Sequence, residues 1–188
     1  MSPRPLPHYF PHLAGSLVLA SASLVGFLSQ WEGGNQHTVY ADKLAAGLPT
    51  VCRGLTRHVT TTPLVVGEYW GAEKCAREEQ AALVKVQTQL GQCFKRLPPQ
   101  GVFDMASSHA WNNGTPSTCT SLAMQAFNAG NWSLGCQRLS VSDSGKPVWS
   151  FTSRINAKGQ REYIFVKGLA NRRQAETGNC HTALKDGP

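Results

Sequence analysis

Several things are scarce in this chain of 188 residues, and each scarcity closes off a class of protein. No C-x-x-C pair occurs, although there are six cysteines, Cys52, Cys75, Cys93, Cys119, Cys136 and Cys180. Structural zinc sites draw on closely spaced ligand pairs, so the expectation is no metal site. An even number of scattered cysteines fits disulfides formed in an oxidising compartment, and spacing alone does not choose among the pairings. Charge is also thin, at 15% of residues, with 18 Lys and Arg against 11 Asp and Glu, a formal +7. Such a surplus suits a polyanion: nucleic acid, an anionic membrane or a bacterial wall. No basic run of five or more exists, and a nucleic-acid surface would concentrate its charge in a stripe. No internal repeat or low-complexity tract appears, and the length accommodates one buried core with a terminal appendage.

The apolar segment is short. Leu13 to Leu28 carry no charge, and Arg4 is the one full charge before them. Spanning a bilayer comfortably takes about 20 apolar residues, and Gly15, Gly26 and the serines at 16, 21 and 23 weaken what is present. The segment enters a bilayer but is held there loosely. Three readings stand: a leader cleaved near Ala20 or Ala22, a structural helix of a soluble protein, and an uncleaved, releasable signal-anchor. The first and third place residues 31 onward across a membrane, in agreement with the cysteines.

Residues 39–66 mix β-branched residues with Gly and Pro, which predicts short strands with turns at Gly47-Leu48-Pro49 and around Pro63. Residues 71–97 predict one long helix, with Cys75, Ala82, Val86, Leu90, Cys93, Phe94 and Leu97 on its apolar face and Pro98-Pro99 as its stop. Further helices are expected over "GVFDMASSHAWNNG", closed by Asn113-Gly114, over "CTSLAMQAFNAG", over "NWSLGCQRLS" capped by Asn131, and over "KGLANRRQAETGNC". Residues 148–166 alternate around "NAKGQ" and predict a hairpin. The expected class is α+β and mostly helical: a small β lobe, a long connecting helix and a helical lobe.

Acidic residues are few where they matter most. Between Gln30 and Gly67 there are two, Glu32 and Asp42. Glycoside hydrolysis needs such a pair, one carboxyl protonated to supply the leaving oxygen and one ionised to steer water. Apolar surroundings, as Leu28 and Trp31 would provide for Glu32, favour the neutral form.

The stretches "WEGG" (31–34) and "YADKLAAGLPTVCRGLT" (40–56) resemble the active-site region of phage lysozymes, the family 24 glycoside hydrolases. The likeness implies a lysozyme-like, two-lobed fold, with Glu32 as general acid, Asp42 as the carboxylate that positions water and Thr50 as the hydroxyl that helps hold it. "SHAWNNG" (108–114) resembles the helix end lining the family's saccharide cleft and implies Asn112 as a sugar contact. Glu32 precedes Asp42 by ten positions and Asp42 precedes Thr50 by eight. Leu55 stands where the family often has histidine, with His58 as a candidate substitute. The implied reaction is inverting hydrolysis of the β-1,4 bond between N-acetylmuramic acid and N-acetylglucosamine of peptidoglycan, for host lysis, without a cofactor. The two carboxyls of such an enzyme stand about 6.5–9.5 Å apart.

The resemblance also addresses the apolar segment, because it makes "GFLSQWE" the helix that carries the catalytic acid. Residues held in the bilayer cannot fold onto the domain, which is the restraint attributed to signal-arrest-release endolysins. The implied organisation is a cytoplasmic tail (1–12), a weak membrane segment (13–30), a catalytic domain (31–180) and a C-terminal tail (181–188). The protein would be a monomer, anchored in the host inner membrane and then released to the periplasm, with peptidoglycan and that membrane, not nucleic acid, as partners. The family layout implies disulfides Cys52–Cys75, Cys93–Cys119 and Cys136–Cys180, and the segment's lack of cysteine implies no thiol switch.

The rivals are a lytic transglycosylase and a wall-binding protein using Trp111, Trp132 and Trp149 as sugar platforms; core packing explains these aromatics better. Asp104, Ser107 and His109 suggest a hydrolytic triad, but Asp104 and His109 fall on different faces of a helix. Glu78 and Glu79 read as a solvated helix face.

Overall fold

The computed structural model describes residues 17–31, 36–43 and 47–185. The chain opens with α1 (Ala22–Trp31), then strands β1 (Gln36–Asp42), β2 (Leu48–Cys52) and β3 (Leu55–Thr56). Helices α2 (Ala72–Gly91), α3 (Gln100–Asn113), α4 (Thr115–Cys119), α5 (Leu122–Asn128) and α6 (Trp132–Gln137) follow. A hairpin of β4 (Phe151–Ile155) and β5 (Arg161–Phe165) precedes the last helix, α7 (Lys167–Lys185). This is the expected α+β, mostly helical layout, a small β lobe, a long helix and a helical lobe.

The small lobe is an antiparallel sheet in the order β1-β2-β3. Tyr40 faces Thr50 and Asp42 faces Leu48 across the first pair, and Val51 faces Leu55 across the second. The register shifts between Gln36 and Tyr40; there, the backbone of residues 37–39 bonds to residues 67–70 on its other side. Of the expected turn Gly47-Leu48-Pro49, Gly47 takes positive φ, but Leu48 and Pro49 already belong to β2. Val39, Val51, Leu55 and Trp70 form this lobe's own core against Cys75 and Ala82 of α2.

Helix α2 ends at Gly91, six residues before the expected Leu97. The cause is a competing partner for its backbone. The Asn128 side-chain amide accepts from Lys95 N at 2.7 Å and donates to Cys93 O at 2.8 Å, satisfying both groups outside any helix. Leu97 is accordingly exposed, while Phe94 turns into the core. The helix expected over 119–130 begins only at Leu122, because the Ser121 hydroxyl caps it by accepting from Met124 N. Asn131 caps α6 as expected, accepting from Leu134 N at 3.1 Å. Gly101 lets α3 lie on α7, since a Cβ there would overlap Ala183.

The helical lobe packs Phe94, Phe103 and Phe127 with Val102, Met105, Met124 and Leu139 in its centre. Phe27 of α1 joins this core, while Leu24 and Leu28 pack with Leu83 of α2. Trp111 touches all three buried clusters. Trp132 lies against Phe127, and Trp149 meets His109 edge-on at 4.9 Å, so packing is the role of both. The three disulfides are those the resemblance implied. They tie β2 to α2, the turn after α2 to α4, and α6 to α7.

Replacing Asn128 with alanine removes the two bonds that end α2. A loss of about 1–3 kcal/mol is expected, measured by urea unfolding, with hydrogen exchange at Cys93–Lys95 accelerated.

Candidate active site

A cleft of about 740 Å³ separates the sheet from α2, α3 and α4. One wall comes from strand alternation. Gln36, Tyr40, Asp42, Thr50, Cys52 and Thr56 all line the cleft, whereas Val39, Val51 and Leu55 point into the small-lobe core. Side chains alternate faces along a strand, and residues paired across an antiparallel ladder share a face. The Asp42–Leu48 register therefore brings Asp42 and Thr50 to the same surface despite the eight positions between them. Thr50 is buried, and its hydroxyl donates to Leu48 O at 3.0 Å, so its oxygen is fixed in direction. Partial burial, and then the Asp42 charge, push the Tyr40 phenol above its usual pKa, keeping it a neutral donor.

The opposite wall is the end of α3 with Gly114, Thr115 and Pro116, and α2 contributes Lys85 and Gln89. Asn112 lines this wall. Its Oδ1 accepts from Arg173 Nη1 at 3.1 Å, and because a guanidinium only donates, the contact orients the amide. Arg173 belongs to a buried polar cluster: it donates to Glu176 Oε1 at 2.6 Å, and Ser108 Oγ donates to the same oxygen at 2.7 Å. Arg172 lies 3.4 Å from that carboxylate. Sequence reasoning missed this support, although "NRRQAE" carries its signal, two arginines with a glutamate one turn on.

The cleft thus gathers three of the four expected site residues, Asp42, Thr50 and Asn112. Glu32 lies outside the described residues. It follows directly on Trp31, which packs against the helical core, and Gln36, four residues further, lines the cleft. His58 also lines the cleft. Asp42 is the one carboxylate lining it among the described residues. A smaller, mostly apolar cavity of about 280 Å³ lies between α1 and α2.

Asp104, Ser107 and His109 do not assemble as a triad. Asp104 accepts from Ser21 Oγ at 2.7 Å and from Gln100 Nε2 at 2.8 Å, Ser107 Oγ donates to Phe103 O, and His109 Nδ1 is bonded to Thr118 Oγ1. Glu78 and Glu79 also depart from expectation. Glu78 Oε2 accepts from the hydroxyls of Thr60 and Thr62, and Glu79 accepts from Arg53 N, so both acids brace the small lobe instead of facing solvent alone.

His109 is completely buried. Burial, and then the charges of Arg173 and Arg172, hold its pKa well below the usual imidazole value. The folded protein keeps it neutral while the unfolded chain protonates it from about pH 6.5 downward. Its contribution to stability is complete above that pH and is lost as pH falls through it. His109→Gln should therefore flatten the fall in melting temperature between about pH 6.5 and 5; identical slopes in the two proteins would exclude the imidazole.

The family model described as phage lysozyme matches residues 29–176. A SAR-endolysin of Pseudomonas phage phiKMV is 28% identical over 170 residues, covering 90% of this chain and 91% of that protein. A SAR-endolysin of Escherichia phage 933W is 30% identical over 140 residues, covering 70% of this chain and 76% of that protein. Among solved structures, the endolysin from Escherichia coli O157:H7 phage FAHEc1 superposes with a TM-score of 0.66 at 23% identity, covering 87% of this chain and 93% of that one, a likeness of fold.

Proposed function

This chain belongs to the phage lysozyme family, and from that premise we propose how its residues divide the work. It is an endolysin of the lysozyme type, a glycoside hydrolase acting on peptidoglycan. In our reading Glu32 is the general acid. It gives its proton to the glycosidic oxygen between N-acetylmuramic acid and N-acetylglucosamine as that bond breaks. Asp42 and the Thr50 hydroxyl hold the water that attacks the opposite face of the sugar, and Asp42 accepts its proton, so configuration inverts. Asn112, oriented by Arg173, contacts the saccharide. The observation carrying this assignment is the presence of Asp42, Thr50 and Asn112 in one cleft, which Gln36, four positions after Glu32, also lines.

Glu32→Gln should lower clearing of purified peptidoglycan by about 10²–10⁴-fold without changing the melting temperature. Unchanged clearing would remove the proposed acid. Reducing ends among the wild-type products support hydrolysis; 1,6-anhydro ends would replace it with transglycosylation.

We further propose that the enzyme is held inactive in the host inner membrane and released to the periplasm, where it acts as a monomer. The support is a conflict of location. Leu24, Phe27 and Leu28 are buried in the domain, so a segment that keeps them in lipid leaves the fold incomplete. Val18, Leu19 and Val25 remain exposed on the folded segment, a wider apolar surface than docking alone requires. Among the described residues no helix is long and apolar enough to cross a membrane.

Lipid and protein core are both apolar, so polar contacts weigh heavily in the choice between them. The docked segment bonds through Val18 to Gln100, through Ala20 N to the buried Gln87 at 2.6 Å, and through Ser21 to Asp104. Burial raises the Asp104 pKa, opposed by the Ser21 and Gln100 bonds. Ser21→Ala should shift the partition toward the membrane by about tenfold, read as the membrane-bound fraction after cell fractionation. An unchanged fraction, or a mature chain starting after Ala22, would overturn the restraint.

A further inference from the structure

We propose that the β4–β5 hairpin is a second membrane contact, separate from the N-terminal segment, which lays its aromatic face on an anionic lipid surface. All ten residues of the two strands are exposed, which is unusual for a ladder bearing so many apolar side chains. The pairing is regular, Phe151 with Phe165, Ser153 with Tyr163 and Ile155 with Arg161. Those six residues therefore share one face, while Thr152, Ile164, Arg154 and Glu162 share the other. Exposure on the first face is 44% for Phe151, 49% for Phe165, 68% for Tyr163 and 64% for Ile155. Phe151 and Phe165 touch at 5.6 Å, and Phe151 continues the face into an apolar recess beside Val148 and Trp149.

The charges around this face choose its occupant. Residues 146–167 hold five basic side chains, Lys146, Arg154, Lys158, Arg161 and Lys167, and one acid, Glu162, which pairs with Arg154 at 3.0 Å. A second copy would bring this positive charge against itself. A glycan strand is gripped by rings set among several hydrogen-bonding side chains, whereas here aliphatic Ile155 stands near the tip and only Ser153, the Tyr163 hydroxyl and Arg161 are polar. Aromatic and aliphatic side chains flanked by Lys and Arg suit the boundary between headgroups and acyl chains. The tip is held for this use: Asn156 Oδ1 accepts from Lys158 N and Gln160 N, and Gly159 takes positive φ.

The test uses the full chain with phosphatidylethanolamine vesicles, with and without phosphatidylglycerol, reading hydrogen exchange over residues 151–165. Because the N-terminal segment is the same in every protein, this local readout separates the hairpin from the anchor. Outward-facing amides of the free hairpin exchange fast, and they should slow by about tenfold on the anionic vesicles. The protection should vanish in Ile155→Ser/Tyr163→Ser and in Lys158→Glu/Arg161→Glu. Melting temperature and clearing of purified peptidoglycan should stay at wild-type values. Exchange that ignores the anionic lipid would overturn the proposal. So would loss of peptidoglycan clearing in the variants, which assigns the face to glycan, or a wild-type dimer that the variants dissolve.

Discussion

Leu24 has no exposed surface, and its burial against Leu28 and Leu83 is the constraint on which the rest of the molecule depends. With Phe27 it seats α1 on both α2 and the helical core, and so sets where Trp31 stands. From Trp31 the chain has only residues 32–35 before Gln36 enters the cleft wall. Any state that takes Leu24 and its neighbours elsewhere therefore strips α1 from both surfaces.

The walls of the cleft are set by contacts of a different kind. Strand alternation sorts Asp42 and Thr50 to one surface and Val39, Val51 and Leu55 to the other. A single register step would exchange the two sets. On the facing wall Asn112 is oriented by Arg173, which is held in turn by Glu176 and Ser108. Buried charge is costly unless fully bonded, and here the bonds aim an amide at the cleft. Trp111, touching all three buried clusters, is where the lobes share a packing surface.

Much of the architecture was legible in the chain because the signals were local. Asn131 reads as a cap and is one; "NAKGQ" between alternating residues reads as a hairpin tip, and the hairpin is present. The errors arose where a distant residue intervened. Helix α2 was expected to reach Leu97 because the periodicity continues, but Asn128, 33 positions after Lys95, captures the backbone first. Glu79 reads as a solvated helix acid until the fold brings Arg53 N within 2.9 Å of it.

The sequence alone determined the element types, the family and the residue types available for acid–base chemistry, because periodicity, caps and motif residues act over a few positions. Tertiary structure decided which of those residues meet. It put Asn112 under the control of Arg173, 61 positions away, and drew Asp104 to Ser21 instead of His109. Such pairings depend on burial and on the competition of many groups for each buried donor and acceptor. That competition is resolved only when the whole chain is packed.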